Sequence, residues 1–164
     1  MGIIDSIIKN IFGTKSERDI KEILPIVQKI HEEYAKLQSL SNDELRSLSN
    51  ELKNNIRSSV FEQQEKIKVL KEKVDDPELD IREKEDLYKE IEDLEKEIDK
   101  VLANKLDESL PLAFAIMKDT ARRFFENEEV VVTANDFDRE LAATNNHIII
   151  KGDKAIYKNR WMAG

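Results

Sequence analysis

The residues with reactive side chains are few, and their spacing rules out most chemistry. Cysteine is absent, and only two histidines occur in 164 residues. Disulfides, iron–sulfur clusters, thiolate zinc sites and a cysteine nucleophile are therefore excluded. His31-Glu32 begins the helical zinc-protease pattern H-E-x-x-H, but Ala35 stands where the second histidine is needed. His147 is isolated. No serine lies in a nucleophile elbow. A phosphate loop needs G-x-x-x-x-G-K-[ST], because backbone N–H groups and the lysine together cradle the phosphates. The glycines are Gly2, Gly13, Gly152 and Gly164, and none fits. Asp136, Asp138, Arg139 and Glu140 cluster at a helix start, where capping and a local ion pair account for them. Arg122-Arg123 before Phe124-Phe125 suits either a phosphate or carboxylate contact or the usual preference for cations near a helix C-terminus.

The elements that carry these residues are helical. Charged residues make up 38% and aromatics 6%, with four glycines and three prolines. This is the profile of long solvated helices rather than a sandwich or barrel. No stretch approaches the length of a membrane span, and no secretory leader is evident, so the chain reads as cytosolic. Between Glu62 and Glu108 lie 18 acidic and 10 basic residues, a net of −8 that equals the charge of the whole chain. An acidic body disfavours DNA, because phosphate neutralisation drives nucleic-acid binding. Residues 1–29 are slightly basic, and that arm suits phosphates of lipid or RNA.

Ile3, Ile4, Ile7, Ile8, Ile11 and Phe12 form one face of a short amphipathic helix that stops at Gly13. Such a helix needs an apolar surface, either the protein's own core or a sister subunit, or else a membrane or partner interface. A second helix is expected from Ser16 to Leu40, with Ile20, Ile23, Leu24, Val27, Ile30, Tyr34 and Leu37 as its stripe and a kink at Pro25. Ser41 and Glu44 form a capping box for the next helix, which Leu45, Leu48, Leu52 and Ile56 continue. Ile56, Val60, Gln63, Ile67, Leu70 and Val74 follow at spacings of 4, 3, 4, 3 and 4. After Asp75-Asp76-Pro77, the tract Leu87, Ile91, Leu94, Ile98, Val101 and Lys105 repeats that spacing. Two equal seams around a proline turn predict an antiparallel coiled-coil hairpin with arms of roughly 28 Å. Its charges suit a solvated face, and a spacer or a docking arm are both open as its role.

Ser109-Leu110-Pro111 is expected to open a further helix, LPLAFAIMKDTARRFFEN, apolar enough to be buried on more than one side. Glu129–Thr133 reads as a strand. Asn135 or Asp136 caps a short helix through Ala143, and two strands flank the turn Lys151-Gly152-Asp153-Lys154. The fold class is therefore mainly α: N-terminal helices, a long antiparallel coiled-coil hairpin, and a small α+β C-terminal portion with a β-hairpin. The expected division is 1–56, 57–108 and 109–164.

Three segments carry a family resemblance: IIKNIFGTKSERDIKEILPIVQKI (7–30), LSNDELRSLSNELK (40–53) and LPLAFAIMKDTARRFF (110–125). They resemble the opening of the SecA family, the ATPase motors of bacterial preprotein translocation. The family pattern commonly passes directly from the second segment to the third; here the acidic hairpin, about Arg57 to Asp107, stands between them. The family's glutamine motif and phosphate loop do not occur in the 164 residues, so no catalytic residue, cofactor-binding residue or metal ligand is carried over. The third segment is then the start of the nucleotide-binding motor domain. The resemblance implies an ATP- and magnesium-dependent parent that pushes unfolded preproteins through the membrane channel of the general secretory pathway, with this stretch inactive alone. It implies a cytoplasmic protein, peripheral on the inner membrane, with contacts to anionic lipid, the channel and the ribosome, and a homodimeric parent. Ile3, Ile4, Ile7, Ile8, Lys9, Ile11, Phe12, Lys15 and Arg18 are the membrane- or partner-binding residues on that reading, apolar side chains burying while cations pair with lipid phosphates. The competing reading is a stand-alone helical coiled-coil adaptor or scaffold, which predicts no exposed apolar patch around Leu112–Phe125. An independent enzyme has no residue constellation behind it.

Overall fold

In a computed structural model, residues 15–159 are described. The helices are α1 (Lys15–Leu37), α2 (Asn42–Ser58), α3 (Phe61–Val74), α4 (Ile81–Glu126) and α5 (Asp136–Thr144); the strands are β1 (Glu129–Thr133), β2 (Ile148–Lys151) and β3 (Lys154–Lys158). The mainly α class with a small α+β portion is what the composition and periodicity predict. Ile3, Ile4, Ile7, Ile8, Lys9, Ile11 and Phe12 lie outside the described residues, and with them the expected first amphipathic helix.

Three boundaries differ from expectation. Helix α1 ends at Leu37 rather than Leu40 and, as expected, continues through Pro25. Pro25 is exposed, so water can take up the carbonyl that it leaves without an amide partner. The heptad tract from Ile56 is interrupted at Ser59-Val60, where α2 ends and α3 begins. Most conspicuously, no new helix opens at Ser109-Leu110-Pro111. Helix α4 is continuous for 46 residues with Pro111 inside it. A proline in a helix interior costs about 3 kcal/mol. Helix-forming segments on both sides, with Ser109, Ala115 and Ile116 buried, outweigh that penalty.

The chain divides into two units, Met1–Leu45 with Pro111–Gly164, and Arg46–Leu110. In the second, Ile67, Leu70 and Val74 of α3 pack with Ile91 of α4, and Leu87, Leu94 and Ile98 complete the seam. Every one of these positions belongs to the two predicted tracts. Burying each such side chain is worth about 1.5–3 kcal/mol. Gln63 donates to Glu97 (3.1 Å) and Lys71 reaches Glu95 (3.4 Å), tying the two helices together along their flanks.

In the first unit, the sheet has the order β1-β3-β2, antiparallel throughout. Burial alternates along β1, with Val130 and Val132 inside, as a half-covered strand requires. Ala155 and Ile156 of the central strand are both buried. The β2–β3 hairpin turns on Gly152-Asp153. Gly152 has φ 61°, and no non-glycine among the described residues has positive φ. A glycine alone in that region at the first turn position is the signature of a type II′ turn. Asn135 caps α5: its side chain accepts from the Asp138 N–H, while Asp138 accepts from the Asn135 N–H. Asp138 is fully buried and also accepts from the Tyr157 hydroxyl. Asp138, the buried member of the acidic cluster, is therefore structural. Arg139 extends to the Gly152 carbonyl (3.4 Å).

Candidate functional site

The basic pair near the end of α4 is the most connected polar feature of the first unit. Asp119 precedes Arg122 and Arg123 by three and four residues, which places all three on one helix face. Asp119 is 0% exposed and Arg123 8%. Arg123 Nε donates to Asp119 Oδ2 at 2.8 Å. Its Nη1 donates to Asn42 Oδ1 at 2.7 Å, and its Nη2 to the carbonyls of Leu37 (3.3 Å) and Leu40 (2.6 Å). A guanidinium is suited to this because its donors form a rigid planar fork. One side chain thereby caps the turn that ends α1, adding to the Leu40 N–H that the Leu37 carbonyl also accepts. Arg122 lies outside it, donating to Asp119 Oδ1 (3.0 and 2.8 Å) and pairing with Glu126. These bonds hold the Arg122 guanidinium pKa above its ordinary value, Asp119 contributing most.

The same corner closes the free edge of β1. Asn42 Nδ2 donates to the Val131 carbonyl at 2.9 Å. Asp43 accepts from the Thr133 N–H and the Thr133 hydroxyl, both at 2.8 Å. An unpaired strand edge invites pairing with other chains, and polar side chains here occupy it. The Ser41–Glu44 box sits one turn away, as predicted: Glu44 accepts from the Ser41 N–H (2.7 Å), and the Glu44 N–H donates to Ser41 Oγ (3.2 Å). The Ser41 N–H, then its hydroxyl, lower the Glu44 carboxyl pKa. Beside this corner lies an open polar cleft of about 410 Å³, bordered by Gln38, Asn42, Arg122, Glu126 and Glu129. Both arginines already donate to protein acceptors, which favours a structural role for the pair over a phosphate contact. Of the binding residues expected from sequence, Lys15 and Arg18 are described, exposed in the first turn of α1. They precede a run of exposed apolar side chains, Ile20, Ile23, Leu24 and Ile26.

Helix α4 departs from the expected burial on more than one side. Ala115 and Ile116 are buried, but Phe114 is 58%, Met117 70% and Phe125 87% exposed. Spacings of three and eight put these on one face. The sequence reading missed Asn42, Asp43 and Asp119. The signal for Asp119 was its offset from the arginines; Asn42 and Asp43 contact partners about 80 to 90 residues away. No helix among the described residues is long and apolar enough to cross a membrane. Among the described residues, no three His, Asp or Glu side chains are placed to hold a metal ion.

The family model described as the SecA DEAD-like domain matches residues 8–142. The chain belongs to the SecA family. It is 48% identical over 154 residues to the protein translocase subunit SecA of Parabacteroides distasonis, covering 94% of this chain and 14% of the relative. It is 49% identical over 158 residues to that of Phocaeicola vulgatus, covering 96% and 14%. With that of Christiangramia forsetii, identity is 39% over 163 residues, 99% of this chain and 14% of the relative. No solved structure matches. The chain thus spans about one seventh of the length of these SecA relatives.

Proposed function

We propose that this chain is the leading region of an ATP-driven SecA-type motor that moves unfolded preproteins through the membrane channel, and that it supplies membrane, channel or dimer contacts rather than chemistry. The observation that carries the reading is the open apolar face of α4. Phe114, Met117 and Phe125 stand exposed on a helix whose other side is buried, as expected of a helix whose remaining partner belongs to the rest of a larger motor. A free-standing adaptor would have this face covered, so the exposure favours the motor reading.

ATP and magnesium belong to the proposed parent. The residues present do not fit them: no G-x-x-x-x-G-K-[ST] occurs, and the described positive-φ glycine, Gly152, serves a hairpin turn. No step of nucleotide chemistry is assigned to this chain, which alone should not hydrolyse ATP. Its arm, with Ile3, Ile4, Ile7, Ile8, Ile11 and Phe12 as the burying face and Lys9, Lys15 and Arg18 as lipid-phosphate partners, is proposed to engage the cytoplasmic membrane surface. Each cation near an anionic surface adds about 1 kcal/mol. Channel, ribosome and second-subunit contacts belong to the same proposal.

The test is co-sedimentation of the 164-residue chain with vesicles rich in anionic lipid. Binding should weaken with salt and be lost when Met1–Phe12 is deleted. Binding that survives the deletion refutes the arm's role.

A further inference from the structure

The α3–α4 hairpin carries an apolar groove with an acidic rim at its tip. The groove measures about 390 Å³ and is lined by Leu79 and Leu87, with Asp76, Glu83 and Asp86 on one hand and Lys73 on the other. Leu79 and Leu87 are half-buried, and Ile81 nearby is 74% exposed. Between Asp75 and Asp86 there are seven carboxylates and two cations. Farther along the hairpin, Lys71 pairs with Glu95, and Lys96 with Glu92 and Asp93. Among the described residues, no cation pairs with a carboxylate of the tip. Among the described residues, Asp76 and Asp80 accept from backbone N–H groups two residues on. The tip therefore combines apolar surface that neither helix covers with a net negative charge that, among the described residues, no ion pair offsets.

We propose that this tip is a docking site for a basic polypeptide segment that places an aliphatic or aromatic side chain between its cations. The apolar side chain enters the groove against Leu79 and Leu87, and the flanking Lys or Arg groups meet Asp76, Glu83 and Asp86. The charge selects the class of partner. A surface of this sign repels phosphate, whether of nucleic acid or of anionic lipid, and attracts cations over roughly the 8–10 Å screening length of physiological salt. The apolar floor selects within that class, because a purely charged segment leaves Leu79 and Leu87 wet. The site lies in the unit Arg46–Leu110 and does not depend on the membrane contacts proposed for the arm.

The probe is a fluorescein-labelled peptide Lys-Leu-Lys-Lys-Leu-Lys, titrated with the 164-residue chain and read by fluorescence anisotropy. Glu83 and Asp86 are exposed, so the double variant Glu83→Lys, Asp86→Lys leaves the fold intact. It should weaken binding about tenfold or more, since two attractions become repulsions. The same reversal at Glu62 and Glu65, exposed near the base of the hairpin, should change binding by less than about twofold. Replacing both leucines of the peptide by serine should weaken binding as much as the tip reversal does. Equal losses from tip and base reversals would reduce the effect to diffuse charge attraction and overturn the proposal. An unchanged affinity of the serine peptide, or no binding at all, also overturns it. So does self-association of the chain abolished by the tip reversal, which would put a second copy in the groove.

Discussion

Replacing Arg123 by alanine should destabilise the first unit far more than the same change at its neighbour Arg122. Arg123 is 8% exposed and makes four hydrogen bonds, one of them to a carboxylate that is itself fully buried. The charged bond contributes about 1.5–3 kcal/mol and the three neutral acceptors about 1 kcal/mol each. Breaking a buried ion pair from one side costs about 3–5 kcal/mol. Arg122 still faces Asp119 in the variant, so the lower end applies, about 3–4 kcal/mol. With a urea sensitivity of about 1–3 kcal/mol per molar, the midpoint should fall by roughly 1–4 M. Amide exchange localises the loss: N–H groups of residues 37–45 and 117–127 should exchange about two orders of magnitude faster, at a factor of ten per 1.4 kcal/mol. Arg122→Ala, which removes a side chain 30% exposed, should shift the midpoint far less, because exposed ion pairs contribute little. Equal losses at the two positions would show that Arg123 is not the side chain that joins the α1–α2 corner to α4.

Glu44 gives a pH dependence. Its folded pKa lies below the usual value of 4.5 because the Ser41 N–H and hydroxyl favour the carboxylate. Its contribution is therefore present above that value and lost as pH falls through the lowered one. Melting curves of the natural chain and Glu44→Gln should differ by a constant amount above about pH 6 and converge as pH falls through the lowered folded value; a gap that persists in strong acid contradicts the box. Gly152→Ala should cost about 1–2 kcal/mol in thermal denaturation through backbone conformation alone, because nothing lies within 4 Å of the added Cβ; a neutral result would refute the turn assignment. In the hairpin, Ile91→Ala should destabilise by about 2–5 kcal/mol, read by amide exchange in residues 67–98, since Ile91 is 5% exposed inside the α3–α4 seam.

Local rules made much of the architecture legible. The Ser41–Glu44 box, the β1 boundaries, the Asn135 cap and the Gly152 turn each depend on residues within a few positions of one another, where backbone geometry leaves few choices. The 4-3-4-3 spacing named the hairpin seam because α-helical periodicity alone decides which side chains share a face. Pro111 misled for the opposite reason. Pro25 and Pro111 carry a local helix-breaking penalty that tertiary packing or solvent access can offset, and neither is visible in a window of a dozen residues.

The residues by themselves determined the helical class, the location of the charge, the seam and the SecA resemblance, since each follows from composition, periodicity or order along the chain. Only the tertiary structure decided what the basic pair does and which side of α4 is open. Arg122 and Arg123 read equally well as ligand donors or as helix-end cations. Acceptors at Leu37, Leu40 and Asn42, more than 80 residues away, turn Arg123 into an internal clamp. No local pattern foretells such a contact, because it depends on which distant carbonyls the fold brings within hydrogen-bond reach.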